Sequence, residues 1–106
     1  MPIQQVTAPD LKKMLDDGER LELVDVRTPE ERAIAVIPGG RLLDKPCHDA
    51  LLVLERETRI VFHCHHGIRS QAAAEYFLQA GFRNVYNLAG GIDAWSRLVD
   101  PSVQRY

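Results

Sequence analysis

Ile60-Val61-Phe62-His63-Cys64-His65-His66-Gly67-Ile68-Arg69-Ser70-Gln71-Ala72-Ala73-Ala74 is the stretch that decides how this chain is read. An apolar run ends at a cysteine, a short loop with a glycine follows, and an alanine-rich segment takes over. That order predicts a buried strand, a tight turn and a helix, with the thiol at the helix mouth. There Cys64 meets unpaired backbone N–H groups and the positive end of the helix dipole. Both favour thiolate over thiol. Gly67 allows backbone conformations closed to other residues, and successive inward N–H groups form an anion nest. Arg69 adds a fixed charge and a planar donor fork at the helix start. The expected product is a small cradle above the Cys64 sulfur. It suits a thiolate, a persulfide or an oxyanion such as phosphate, and the loop alone leaves all three open.

Outward from this stretch, strands and helices alternate. Residues 3–6 read as a weak edge strand, and residues 8–17 as a helix capped by Thr7 with Pro9 in its first turn. Residues 21–26 are a strand. Thr28-Pro29-Glu30-Glu31 opens a turn or helix with a capping box. A short strand at 41–43, a helix at 46–55 and a strand at 59–62 follow. The helix after the cysteine runs over 70–80, with Ser70 as its N-cap and Gly81 as its stop. Residues 84–88 are a strand, 92–98 a helix carrying Trp95, and Asp100 begins a tail. Such alternation predicts a parallel sheet with helices on both faces. Sites then form beyond the carboxyl ends of the strands. Three of these ends carry chemistry: Asp25 with Arg27, Cys64, and Gly90-Gly91.

The 106 residues, 45% hydrophobic and 26% charged, suit one soluble domain, 1–106. A formal net charge of −2 gives no general attraction to nucleic acid or to an anionic membrane. No apolar run is long enough to span a bilayer, and residues 1–6 lack the pattern of a secretory signal. A cytoplasmic, reducing location is expected, and with it no disulfide between Cys47 and Cys64. Cys47 reads as an incidental thiol, with a resolving role towards Cys64 as the alternative. His63, Cys64, His65 and His66 are all metal-ligand types. Adjacent side chains diverge, however, and zinc sites draw on spaced ligands, so no metal is expected. His63 reads as a strand residue. His65 and His66 read as pocket walls that add positive field when protonated. Asp25 and Arg27 read as an ion pair, Asp25 holding loop geometry and Arg27 bracing a neighbouring segment. Trp95 belongs to the core or the pocket rim.

The loop from Cys64 to Ser70 resembles the active-site loop of rhodanese-family sulfurtransferases, C-x-x-G-x-R-[ST]. Four further segments match in order. Leu23 to Glu31 resembles the D-V-R-x-x-x-E segment, and Ile37 to Gly40 the I-P-G-A turn. Ala80 to Val85 resembles G-F-x-x-V, and Leu88 to Trp95 resembles L-x-G-G-x-x-A-W. The resemblance implies a rhodanese-like α/β domain with a five-stranded parallel sheet flanked by helices on both faces. It implies a ping-pong sulfurtransferase without a cofactor: Cys64 takes sulfane sulfur from a donor such as thiosulfate, becomes a persulfide and passes the sulfur to cyanide, a small thiol or a protein thiol. Cys64 and Arg69 are then catalytic. His65, His66, Gly67, Ile68 and Ser70 bind substrate, and Asp25 and Arg27 support. Phosphatases and arsenate reductases of the same fold carry a loop one residue longer; Cys64 to Arg69 is six positions, which favours sulfur. Ala35 and Val36 stand where the family often has Gly-His. A phosphatase or arsenate reductase is the alternative enzyme, and a sulfur-carrying or regulatory module the non-catalytic alternative.

Overall fold

The sheet is built in the order β1-β5-β4-β2-β3, with every neighbouring pair parallel. Its strands are β1 (Gln4–Val6), β2 (Glu22–Asp25), β3 (Arg41–Leu42), β4 (Arg59–His63) and β5 (Asn84–Leu88). The structure, a computed structural model, describes residues 3–106. The helices are α1 (Ala8–Asp16), α2 (Pro29–Ile34), α3 (Lys45–Leu52), α4 (Ile68–Gln79) and α5 (Gly91–Leu98).

Alternation along the strands divides the interior into two layers. Leu23 and Val61 join Leu11, Leu88, Ile92 and Trp95 on the face covered by α1 and α5. Their neighbours Val24, Ile60 and Phe62 join Cys47, Leu51, Phe77 and Phe82 under α3 and α4. The central strand β4 therefore reads as continuously apolar, because both of its faces are covered. Register aligns the carboxyl ends: Asp25 pairs with His63, and Phe62 with Asn87. The chain thus delivers Asp25, His63 and Cys64 to one rim of the sheet.

Local chemistry sets the helix starts. The Thr7 hydroxyl accepts from the Asp10 N–H, and Thr28 and Glu31 form the full capping box. Asp44 caps α3 by accepting from the Cys47 N–H, so that helix starts at Lys45 and ends at Leu52, earlier than the expected 46–55. Ser70 is not a cap. Gly67 takes a left-handed conformation, φ +103°, which turns the chain two residues sooner and starts α4 at Ile68. The tail from Asp100 onward packs back on the domain. The Ser96 hydroxyl donates to the Val103 carbonyl at 2.5 Å, Val103 is buried, and the chain folds back towards the cysteine loop.

Candidate active site

Cys64 leaves β4 and is 1% exposed. Its sulfur accepts from the Gly67 N–H at 3.1 Å and the Ser70 N–H at 3.4 Å, and the Ser70 hydroxyl lies 3.3 Å away. Burial by itself would push this thiol up. The Ser70 hydroxyl and the backbone N–H groups of Ser70, Gly67 and His66 outweigh it and hold the thiol below its ordinary value. The nest expected from the turn is therefore present and closes on the sulfur itself.

Ser70 is buried inside the first turn of α4, and its hydroxyl donates to Asn87 Oδ1 at 2.5 Å. Asn87 in turn donates to the Gly67 carbonyl and to Gln5 Oε1, both at 3.0 Å. It ties the loop to β5 and β1. No motif marks Asn87 in the chain; it enters the site because β5 lies beside β4.

The start of α5 clamps the loop from the other side. Ile92 N–H donates to the Cys64 carbonyl at 2.9 Å and Asp93 N–H to the His65 carbonyl at 3.2 Å. The approach needs a bare backbone: a Cβ on Gly91 would lie 2.4 Å from both carbonyl oxygens. This is the physical content of the Gly90-Gly91 pair at the third strand end.

Arg69 stands at the rim and is not a free cation over the sulfur. Its guanidinium is paired through both terminal nitrogens with Glu31, at 2.7 and 3.0 Å. The pair holds the Glu31 carboxyl far below the usual range and raises Arg69. Tyr106 donates to Glu31 Oε2 at 2.6 Å and accepts from Arg27 at 3.0 Å. Arg27 makes the expected buried pair with Asp25, 2.8 Å, and donates to the Ala35 carbonyl at 2.7 Å, bracing the end of α2. Asp25 also accepts from Arg32. A continuous polar chain thus runs from Asp25 through Arg27, Tyr106 and Glu31 to Arg69.

The histidines separate into two environments. His63 is fully buried, neither ring nitrogen has a partner among the described residues, and burial pushes it down to about 4. His65 and His66 do not diverge as adjacent residues were expected to. Their ring centroids lie 3.9 Å apart, and Tyr106 stacks on His65 at 4.0 Å with 9° between planes. One ligand atom from each of His65, His66 and Asp93 lies within 4.8 Å of the other two. Ile68 is 81% exposed at the start of α4. Cys47 lies on the buried face of α3, with its thiol pushed up by burial; both cysteines are free. Trp95 belongs to the core.

Comparison with known proteins identifies the family of this fold. The family model for the rhodanese-like domain matches residues 7–98. Thiosulfate sulfurtransferase GlpE of Pseudomonas aeruginosa is 33% identical over 87% of this chain and 83% of its own length. A sulfurtransferase of Allochromatium vinosum is 36% identical over 90% of each. The probable adenylyltransferase/sulfurtransferase MoeZ of Mycobacterium tuberculosis is 35% identical over 95% of this chain, which spans only 26% of that relative. Among solved structures, a rhodanese-like domain protein from Staphylococcus aureus superposes with a TM-score of 0.76 at 30% identity, covering 98% of this chain and 99% of its own. The matched model, two relatives aligned over most of their length and the shared fold place this chain in the rhodanese-like domain family.

Proposed function

We propose that the protein is a thiosulfate-type sulfurtransferase that carries sulfane sulfur as a Cys64 persulfide. The observation that carries this reading is the Cys64 sulfur held by the Gly67 N–H, the Ser70 N–H and the Ser70 hydroxyl within a six-position loop. The relatives named as sulfurtransferases support it. The Cys64 thiolate attacks the outer sulfur of thiosulfate, a new S–S bond forms, and sulfite leaves with the electron pair of the old one. Sγ keeps its place as the inner sulfur of the persulfide, the negative charge moves to the outer sulfur one bond further out, and the field of the loop N–H groups favours both anions. An acceptor, a thiolate or cyanide, attacks the terminal sulfur and restores the Cys64 thiolate. Gly67 and Ser70 hold the sulfur, Arg69 stands at the rim in its pair with Glu31 as a donor to incoming substrate, and His65, His66 and Ile68 line the approach. Asp25 and Arg27 act at a distance, by fixing α2 and the Tyr106–Glu31–Arg69 chain.

The proposed setting is a reducing compartment, with a small or protein thiol as acceptor. No helix among the described residues is long and apolar enough to cross a membrane. Intact-mass measurement after thiosulfate treatment tests the chemistry. A gain of one sulfur, removed by cyanide and absent from Cys64→Ser, is the expected result. Hydrolysis of an aryl phosphate without any sulfur gain would assign the fold's oxyanion chemistry instead.

A further inference from the structure

We infer that His65, His66 and Asp93 form a site for a borderline divalent transition ion, Zn2+ or Cu2+, at the rim of the cysteine loop. One donor atom from each lies within 4.8 Å of the other two. Two imidazoles and a carboxylate suit these ions, whereas Mg2+ prefers an all-oxygen shell.

Backbone contacts fix the spacing of the ligand-bearing segments. Asp93 lies in the first turn of α5, and its N–H donates to the His65 carbonyl at 3.2 Å, beside the Ile92–Cys64 bond at 2.9 Å. The close approach at Gly91 locks the two segments together. Stacking on Tyr106 sets the plane of the His65 ring. His65 Nε2 is buried and has no hydrogen-bond partner among the described residues. An imidazole nitrogen left so is costly, and a metal ion satisfies it. His66 is exposed and can turn its ring to supply the third donor while leaving the outer coordination positions to water.

Arg97 and Arg105 donate to the two oxygens of Asp93 at 3.0 and 3.1 Å. They orient the carboxylate as outer-shell partners do and leave each oxygen a lone pair. Their charge weakens the pull on a cation, so the site is reversible. The Cys64 sulfur, occupied by Gly67 and Ser70, is not among the ligands. An ion here would add positive charge to a rim whose Arg69 is already neutralised by Glu31.

The experiment is calorimetric titration of Zn2+ into the Cys64→Ser protein, which keeps the rim and lacks the thiolate. One ion per chain is expected, with no heat from Mg2+. In the same background, exposed His66→Ala and, separately, Asp93→Asn should each weaken binding about tenfold or more. Substituting Co2+ should give visible absorption bands that His66→Ala diminishes. Failure of the Cys64→Ser protein to bind Zn2+, or affinity unmoved by both substitutions, overturns the proposal. Binding confined to proteins that retain Cys64 would assign the ion to the thiolate and overturn it equally. None of these readouts depends on sulfur transfer.

Discussion

Arg69 and Glu31 face each other across the rim of the cysteine loop through two hydrogen bonds, 2.7 and 3.0 Å long. The pair joins the start of α4 to α2 and puts the loop's arginine beside the approach to Cys64 rather than over the sulfur. An exposed pair of this kind contributes at most about 1 kcal/mol to stability. Arg69→Ala should therefore keep its melting temperature within a few degrees while loading of Cys64 from thiosulfate slows, by less than the roughly 10²–10³-fold that loss of a direct donor to developing charge costs, because the guanidinium is shared with Glu31. Unchanged loading kinetics in the folded variant would remove Arg69 from the chemistry.

Among the described residues, Ser70 makes the one side-chain hydrogen bond to the Cys64 sulfur, at 3.3 Å, while its hydroxyl also reaches Asn87. Once Cys64 ionises, that hydroxyl can turn its proton to the thiolate. A hydrogen bond to a charged group is worth about 1.5–3 kcal/mol. Ser70→Ala should move the midpoint of iodoacetamide alkylation to higher pH and slow alkylation at pH 6 by about tenfold. A pH profile that superposes on that of the parent would show that the backbone N–H groups suffice.

Much of this site is legible in the chain because its signals are local. The Thr28–Glu31 capping box, the Asp25–Arg27 pair and the turn at Gly67 each lie within a few residues and rest on backbone rules. What the chain hides is who meets whom across the sheet. Asn87 reaches Ser70 only because β5 is placed beside β4. Glu31 reads as a cap residue and also binds Arg69. Tyr106 lies in a stretch with no periodicity, yet it stacks on His65. Ser70 looks like a cap because serine commonly is one; a left-handed glycine does that work earlier and frees the hydroxyl for the sulfur. The His65–His66 pair illustrates the same limit, since its third neighbour, Asp93, comes from α5.

His63 links the core to acid stability. The folded chain binds a proton there only near pH 4, whereas the unfolded chain does so near the ordinary value of 6.5. Burial is the main cause, with the charges of Arg27 and Arg32 adding to it and Asp25 opposing it. Between those values the unfolded state holds more protons, so stability is full above about pH 6.5 and falls as pH drops towards 4. At about 1.4 kcal/mol per pH unit, the loss is on the order of 3 kcal/mol. Asp25 and Glu31, both held low when folded, add their losses only below their ordinary range, near pH 4. Urea unfolding at pH 7 and pH 5 should show the drop for the parent and a smaller one for His63→Phe. Equal drops would place the acid sensitivity elsewhere.

Gly91 sets how closely α5 can grip the loop. Its φ is +61°, and an added Cβ would lie 2.4 Å from the carbonyl oxygens of Cys64 and His65. Those are the carbonyls that accept from Ile92 and Asp93, so the methyl group must break the clamp as well as strain the backbone. Gly91→Ala should cost about 3 kcal/mol or more and lower the melting temperature by about 10 °C or more. Gly18 provides the control. It has a similar φ, +71°, with nothing within 4 Å of an added Cβ, so Gly18→Ala should cost only the backbone strain, about 1 kcal/mol. Loading of Cys64 should slow in Gly91→Ala and stay at the parent rate in Gly18→Ala. If the two variants lose equal stability, conformational strain alone explains both, and the close approach of α5 to the cysteine loop is not what holds the site together.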